Sequence, residues 1–396
     1  MTRAVTRAVI AGVGQTEFSA RSGRSEARLA VEAVLDALAD ARLDPASVDG
    51  LVTFAHDSTH EITVARNLGL DGLSYTGRTT YGGTDYCTTV LQARLAVEAG
   101  LATTVVCYRA FNERSGMRFG RGFGEGFGAF SPGLSDETDQ WSLSVPFGLR
   151  TAAGWIGMYA RRMMHEHGLT SADLAEVSVA ARAHAATNPA ARFYRRPITT
   201  EDHQESRMIV EPLRLLDCCL ETDGGAAVVV TTEDRARETG RPYAVIAGVA
   251  TAAGPDQHLM ASYYRPDILD FGELTRVADQ VWNRAGLGPA DIDVAVLYDH
   301  FTPMVLAQLE AWGFCERGEA KEFVRDGNIR VGGRLPVNPH GGQLGEAYLH
   351  GMNGINEAVR QLRGEAANQV PGARHVLVSA PPGTPSSGMI LTMGAT

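Results

Sequence analysis

The feature that most restricts the fold of this chain is an internal repeat. The string AVIAGV occurs at Ala8–Val13 and again at Ala244–Val249. A six-residue apolar match carries little weight alone, but three further elements follow each copy in the same order. ARLDPASVDGLVTF, from Ala41, is matched by AGLGPADIDVAVLY, from Ala285: a helix end, a Pro-Ala turn, an acidic residue and an apolar strand. Gly82-Gly83 and Gly341-Gly342 then each open a long helical pattern, and each pattern runs into a strand, ATTVVCYRA or ARHVLVSAP. Four elements in one order predict a duplicated α/β unit, in which each copy buries its helices and strands against the other. The halves divide near Tyr243, into 1–242 and 243–396, and 396 residues are enough for two such cores.

Residues from about 112 to 211 have no counterpart in the second half and read as an inserted loop region. It contains FGRGFGEGFGAF, with glycines at 120, 122, 124, 126 and 128. That spacing is not GxGxxG and no strand leads into it, so a dinucleotide fingerprint is excluded. The plain expectation is a phenylalanine-bearing loop, and the sharper one a lid over an apolar substrate. The following GWIGMYARRMMHEHGLTSADLAEVSVAARAHAATNP predicts two helices split at Gly168-Leu169-Thr170. His165 and His167 lie two apart and point in different directions on a helix, which argues against a metal pair. DGGAAVVVTT, from Asp223, predicts a turn into a buried strand of the first half.

Composition removes several chemistries. A net charge of −10 does not suit a nucleic-acid surface, which needs a basic stripe. Five cysteines, Cys87, Cys107, Cys218, Cys219 and Cys315, are an odd number without CxxC spacing, so neither a disulfide scaffold nor a zinc site is expected. Lys321 is the sole lysine and stands among Glu316, Glu319, Glu322 and Arg325, which reads as a solvated segment. Imine chemistry needs a lysine with a depressed pKa in a dry pocket, and this one does not fit. No apolar run reaches the roughly 18 residues of a membrane span, and the amino terminus lacks a signal peptide's apolar stretch. A cytoplasmic location is expected.

The ordered blocks ARRMMHEHGLTSADLAEVSVAARAHAATNP, SRMIVEPLRLLDCCLETDGGAAVVV, YDHFTP and VNPHGGQLGEAYLHGMNG resemble the thiolase superfamily over nearly the whole chain, especially its sterol-carrier-protein type. The resemblance implies an α/β thiolase fold, five-layered α-β-α-β-α, with two mixed sheets around a central helix pair. It also implies a dimer that takes a coenzyme A ester through the inserted loop region.

The catalytic positions depart from that pattern. A thiolase sets a nucleophilic cysteine at a helix N-terminus, where the dipole favours thiolate. Here that position falls on Gly83, and Cys87, one turn later, reads as a packed core cysteine. Gly-His-Pro is replaced by Ala347-Tyr348-Leu349, and His-Asp-Cys-Phe by Tyr298-Asp299-His300-Phe301. The late catalytic cysteine is missing, with Thr384, Ser386 and Ser387 in its region. An acyl-enzyme Claisen condensation is therefore not available. Tyrosine at both places is similar to the thiolase-like aldolases of bacterial steroid side-chain degradation. Those enzymes cleave a β-hydroxyacyl-CoA whose hydroxyl sits on a ring carbon, a 17-hydroxy C22-type side chain, to a ring ketone and propionyl-CoA. The resemblance implies the same reaction here, with an OB-fold, acyl-CoA-binding partner of the thiolase-associated type and a homodimer within a heterotetramer. Coenzyme A enters as part of the substrate, and no separate cofactor or metal is implied.

Such a cleavage removes the β-hydroxyl proton, holds an enolate on the thioester and then protonates it. Tyr298 and Tyr348 are the candidates to share those transfers, with the assignment of acid and base open. Tyrosine ionises near pH 10, so a base at neutral pH needs nearby positive charge or hydrogen bonds to its phenolate. His300, His340 and His350 are close in sequence and are candidates to help. Asp299 is either a helix cap or an acceptor behind the tyrosines, His340 reads as structuring its loop, and backbone N–H groups near Gly342 are candidates for an oxyanion site. Tyr348 is expected early in the helix GEAYLHGMNGINEAVRQLRG, whose Ile355, Val359 and Leu362 mark its core face. The competing reading is a thiolase-fold carrier of acyl-CoA or lipid, or a scaffold subunit, whose active site has decayed. A serine hydrolase lacks a GxSxG elbow, and a metal-dependent aldolase lacks clustered ligands.

Overall fold

A computed structural model describes residues 6–55, 57–80, 82–116, 144–258 and 261–394. The segment 119–130, expected as a lid, lies outside the described residues. The principal strands are β1 (Ala8–Gln15), β2 (Gly50–Phe54), β3 (Tyr75–Thr79), β4 (Thr104–Asn112) and β5 (Asp223–Thr232), then β6 (Ala244–Ala252), β7 (Val294–Leu297), β8 (His375–Ser379) and β9 (Ser386–Met393). Their order in the sheet is β3-β2-β4-β5-β1-β6-β9-β8-β7. The run β2-β4-β5-β1 is mirrored by β6-β9-β8-β7, so the repeat in sequence is a repeat in topology. The two copies of AVIAGV meet antiparallel at the centre, Val9 opposite Val245 and Ile10 opposite Ala244. This short pairing joins the two half-sheets, expected as separate, into one hydrogen-bonded sheet.

Alternation along the strands sorts side chains into layers, because successive residues face opposite sides. Ala8 and Ile10 of β1, and Val376 and Val378 of β8, face one shared core with Val90 and Ala93 of α2 (Tyr86–Glu98) and Ile355, Val359 and Leu362 of α8 (Met352–Arg363). Val9 and Ala11 face outward against Leu29, Ala33 and Ala37 of α1 (Glu26–Ala41). Leu377 and Ile390 face the other outer layer. That layer holds α5 (Gly272–Ala285) and α6 (Thr302–Ala311). The layers are α-β-α-β-α with α2 and α8 as the buried central helices.

The inserted region supplies α3 (Ala152–His167) and α4 (Ser171–Thr187), separated where predicted. Gly168 closes the first at φ 65°, and Thr170 and Asp173 form a capping box on the second. Their apolar faces pack on the outer layer of the second half, with Ile156, Leu174 and Val177 in the same core as Leu274 and Val305. Lys321 is tied to this region, donating to the carbonyl of His167 and standing 3.6 Å from Glu322 Oε1. Among the described residues no helix is long and apolar enough to cross a membrane.

One predicted helix is corrected. The segment after Gly341 is not a continuous helix: a four-residue turn, α7 (Gly342–Gly345), is followed by a break, and α8 starts only at Met352. The break is made by left-handed backbone at His350 (φ 48°) and Gly351 (φ 85°). A Cβ at Gly351 would stand 2.7 Å from the Tyr86 ring, so glycine is needed for space as well as for conformation. Tyr348 consequently lies on a turn between two helices and not on a helix face.

Candidate active site

Tyr298 follows the last residue of β7, at the end of the sheet from which α2 starts. Its backbone is clamped on both sides: its N–H donates to the Ser379 carbonyl at 3.0 Å and to Gln308 Oε1 at 3.0 Å, while its carbonyl accepts from Gln308 Nε2 at 2.9 Å. The ring is buried, with Tyr86 at 5.8 Å and His300 at 5.0 Å between centroids. Its hydroxyl reaches the tip of α2. A Cβ built on Gly83 would lie 1.8 Å from Tyr298 Oη and 2.2 Å from Cζ. The phenol thus fills the space into which a side chain at 83, the position expected for a thiolase nucleophile, would project.

Tyr348 comes from the turn before α8, its N–H donating to Thr222 Oγ1 at 3.2 Å. Its hydroxyl oxygen is 3.4 Å from that of Tyr298, a weak hydrogen bond that brings the two predicted residues together from positions fifty apart in the chain. Its ring packs edge-on against His350 at 4.9 Å. Burial pushes the ionisation of both phenols well above the ordinary tyrosine value. For Tyr298 the Tyr348 hydroxyl and the Arg109 charge oppose that rise, while Cys219 and Glu113 add to it. For Tyr348 the further causes, Tyr298, Cys219 and Glu113, all push the same way.

The supporting candidates take different places. Asp299 is buried and accepts the N–H groups of Gln343 at 2.7 Å and Leu344 at 3.3 Å, so it caps α7. Burial raises its carboxyl to about 6 against those bonds. Gly342 makes room for it: at φ 62°, a Cβ there would stand 2.0 Å from Asp299 Oδ2. His300 packs on Tyr298, and burial lowers its pKa to about 3. His340 is likewise lowered to about 3, and Glu346, whose Oε2 is 3.8 Å from His340 Nε2, is raised by burial to about 8. Burial therefore disfavours the imidazolium form of both rings, which leaves hydrogen bonding as the way they could assist the tyrosines. His340 instead sits in the loop's own hydrogen-bond network, its carbonyl accepting from Asn188 Nδ2 at 2.9 Å.

Cys87 is fully buried as the second residue of α2, its N–H donating to Ser387 Oγ at 3.3 Å, and burial pushes its thiol far from ionisation. Ser386 and Ser387 spend their hydroxyls on the carbonyls of Pro381 (2.9 Å) and Thr84 (3.0 Å). Among the described residues no group of three or more His, Cys, Asp or Glu could hold a metal ion. Three neighbours of the tyrosine pair escaped sequence reasoning: Cys219, Glu113 and Arg109. The first two carry no local signal. Arg109 does, being a charge inside the otherwise uncharged strand ATTVVCYRA, where burial demands a partner or a purpose.

A duplicated five-layered α/β fold, with a loop at a central helix tip opposed by residues from the second half, defines a thiolase-fold protein. The family model for the thiolase C-terminal domain-like region matches residues 255–395. The chain is 57% identical over 384 residues to a steroid side-chain-cleaving aldolase of Thermomonospora curvata, covering 97% of each. It is 56% identical over 386 residues to the 17-hydroxy-3-oxo-4-pregnene-20-carboxyl-CoA lyase of Mycobacterium tuberculosis, covering 97% of this chain and 99% of that one. A solved structure described as an Ltp2-ChsH2(DUF35) aldolase superposes with a TM-score of 0.93 at 55% identity, covering 98% of both chains. The chain therefore belongs to the thiolase superfamily, in its branch of steroid side-chain-cleaving aldolases, and is a carbon–carbon lyase of that branch.

Proposed function

We propose that this protein performs the retro-aldol cleavage of a 17-hydroxy C22-type steroid β-hydroxyacyl-CoA, giving the ring ketone and propionyl-CoA, with Tyr298 and Tyr348 as its proton-transfer pair. The observation that carries this is the Tyr298 hydroxyl standing in the nucleophile's space and 3.4 Å from the Tyr348 hydroxyl. A covalent step has no room there, whereas a proton relay has two linked hydroxyls. As the bond between the ring carbon and the α-carbon breaks, its electrons enter the thioester enolate. The substrate hydroxyl proton passes to one phenol, that phenol's own proton passes to the other, and the second phenol protonates the α-carbon. The proton count closes with both phenols neutral, so no isolated phenolate has to persist in a buried site that disfavours it. Asp299 holds α7, and with it the turn that carries Tyr348, and no cofactor beyond the coenzyme A of the substrate takes part.

The same reading gives the chain two thiolase-like halves, 1–242 and 243–396, a cytoplasmic location, and a homodimer joined by an OB-fold, DUF35-type partner into a heterotetramer. The similar structure described as an Ltp2-ChsH2(DUF35) aldolase supports the DUF35-type partner. The test supplies a steroid tertiary β-hydroxyacyl-CoA to the purified chain, with and without the partner, and follows propionyl-CoA by mass. Release that falls at least a hundredfold in both Tyr298→Phe and Tyr348→Phe supports the pair, since a positioned proton-transfer group contributes roughly 10²–10⁴. Tight binding without product in every condition refutes it and favours a carrier.

A further inference from the structure

β7 closes one end of the sheet, with β8 parallel to it on the inner side. Its outer side would leave a row of peptide groups unpaired, and residues 336–338 cover it. The Ala295 N–H donates to the Pro336 carbonyl at 3.0 Å, and the Asn338 N–H donates to the Ala295 carbonyl at 2.9 Å. At Asn338 the backbone turns away at φ 49°, a left-handed conformation that asparagine tolerates better than most residues. Its buried side chain then continues the ladder: Oδ1 accepts the Leu297 N–H at 2.9 Å, and Nδ2 donates to the Leu297 carbonyl at 2.8 Å. His184 of α4 holds this turn, donating from Nδ1 to the Asn338 carbonyl at 3.1 Å while its Nε2 accepts the Val331 N–H at 3.1 Å.

Tyr298, the next residue, directs its peptide groups to the other side, where Gln308 repeats the arrangement. Oε1 accepts the Tyr298 N–H and Nε2 donates to the Tyr298 carbonyl, while the second hydrogen of Nε2 goes to the Met304 carbonyl at 2.8 Å. Gln308 is fully buried on α6, where every residue from Thr302 to Leu309 is buried. An amide there is costly unless its polar atoms are bonded, and those bonds converge on Tyr298. Pairing the Tyr298 N–H does not require it, because that group already donates to the Ser379 carbonyl. Two side-chain amides from different elements thus grip consecutive residues from opposite sides, where the chain leaves the sheet and presents the phenol to Gly83 and Tyr348. We propose that Gln308 and Asn338 are positioning residues for the cleavage, a double clamp that keeps the Tyr298 hydroxyl in line with Tyr348. Both act through Tyr298, so the role rests on the tyrosine pair proposed above.

Gln308→Met keeps the length of the side chain and removes its hydrogen bonds. Asn338→Gly removes the other amide and keeps the left-handed turn. Steady-state release of propionyl-CoA from a steroid tertiary β-hydroxyacyl-CoA is measured on the full-length protein, with its partner if turnover requires one. Gln308→Met is expected to lower kcat at least about tenfold with KM within about threefold, since displacing a reacting group by about 1 Å can cost on the order of 10². In a Tyr298→Phe background the same substitution should cost less than about twofold more, because the hydroxyl it positions is gone. A second reading needs no turnover. If the clamp keeps the ring beside Gly83, then Gly83→Ala should shift the urea unfolding equilibrium at least about threefold less in Gln308→Met than in the parent. An equal loss of kcat with and without the Tyr298 hydroxyl, or an unchanged cost of Gly83→Ala, overturns the clamp and leaves the tyrosine pair standing. Parental activity in Tyr298→Phe overturns the pair, and with it the catalytic role of the clamp. If Gln308→Met does not fold by circular dichroism, Asn338→Gly is carried through the same measurements under the same criteria.

Discussion

Adding one carbon at Gly83 should test the geometry of the site more sharply than removing a tyrosine. A Cβ there would meet Tyr298 at Oη (1.8 Å), Cζ (2.2 Å) and Cε2 (2.6 Å), so three atoms of one ring are in the way. Gly83 does not adopt the left-handed backbone that favours glycine, so an alanine meets steric and not conformational resistance. To restore ordinary carbon contact near 3.4 Å, the phenol must retreat by about 1.5 Å. It has little freedom to do so, because Gln308 clamps its backbone on both sides and the Tyr86 and His300 rings pack against it. Overpacking of this kind costs about 1–3 kcal/mol, and displacing a reacting group by about 1 Å can cost on the order of 10² in rate. Gly83→Ala is therefore expected to lower stability by about 1–3 kcal/mol in urea unfolding and propionyl-CoA formation by about a hundredfold. The control is a double-mutant cycle in which Tyr298→Ala removes the ring. In that background the stability cost of Gly83→Ala should nearly vanish, giving a coupling of about 1 kcal/mol or more. Equal costs with and without the ring would mean that Tyr298 does not occupy the space beside Gly83, and the relay reading would lose its foundation.

Further outcomes follow from the neighbouring groups. Gly342→Ala combines a backbone at φ 62° with a Cβ 2.0 Å from Asp299 Oδ2, and should lower stability by at least about 2 kcal/mol in urea unfolding; a change under about 0.5 kcal/mol would show that the cap is not tight. Burial raises the Glu346 carboxyl to about 8, so the fold favours its neutral form. That stability is fully present below about pH 4.5 and lost as pH rises toward 8, by up to about 1.4 kcal/mol per unit. Glu346→Gln should flatten the decline in Tm between about pH 5 and 8, and an unchanged slope would contradict the assignment. Cys87→Ala should keep kcat within about threefold, and Cys87 should resist alkylation in the folded protein by peptide mass mapping, since its thiol is buried and far from ionised. Rapid modification of Cys87, with loss of activity, would reopen a thiol mechanism.

Much of the fold was legible because duplication carries register. The two AVIAGV strings, the two Pro-Ala turns and the paired glycines marked where corresponding strands and loops must lie, whereas Tyr298 and Tyr348 were singled out by the resemblance to thiolase-like aldolases. The predicted core face of α8 held for the same reason: Ile355, Val359 and Leu362 recur at helical spacing and are buried in the central core. The start of that helix was misplaced, since the break at His350 (φ 48°) and Gly351 goes with His350 packing on Phe111 and Gly351 lying against the Tyr86 ring, which no local pattern announces. The charge state of the histidines was not legible in sequence either, because it depends on how completely the surroundings of an imidazole exclude water.

By itself, then, the order of residues determined the repeated α/β architecture, because it follows from periodicity and repetition, while the tyrosines at the places of family catalytic groups were what the resemblance implied. Only the tertiary structure decided that the Tyr298 hydroxyl occupies the space beside Gly83, that it meets Tyr348 at 3.4 Å, and that burial disfavours charge on His300 and His340. Those are properties of distance and dielectric environment between segments far apart in the chain, and they come into being only when the two half-sheets close around the central helices.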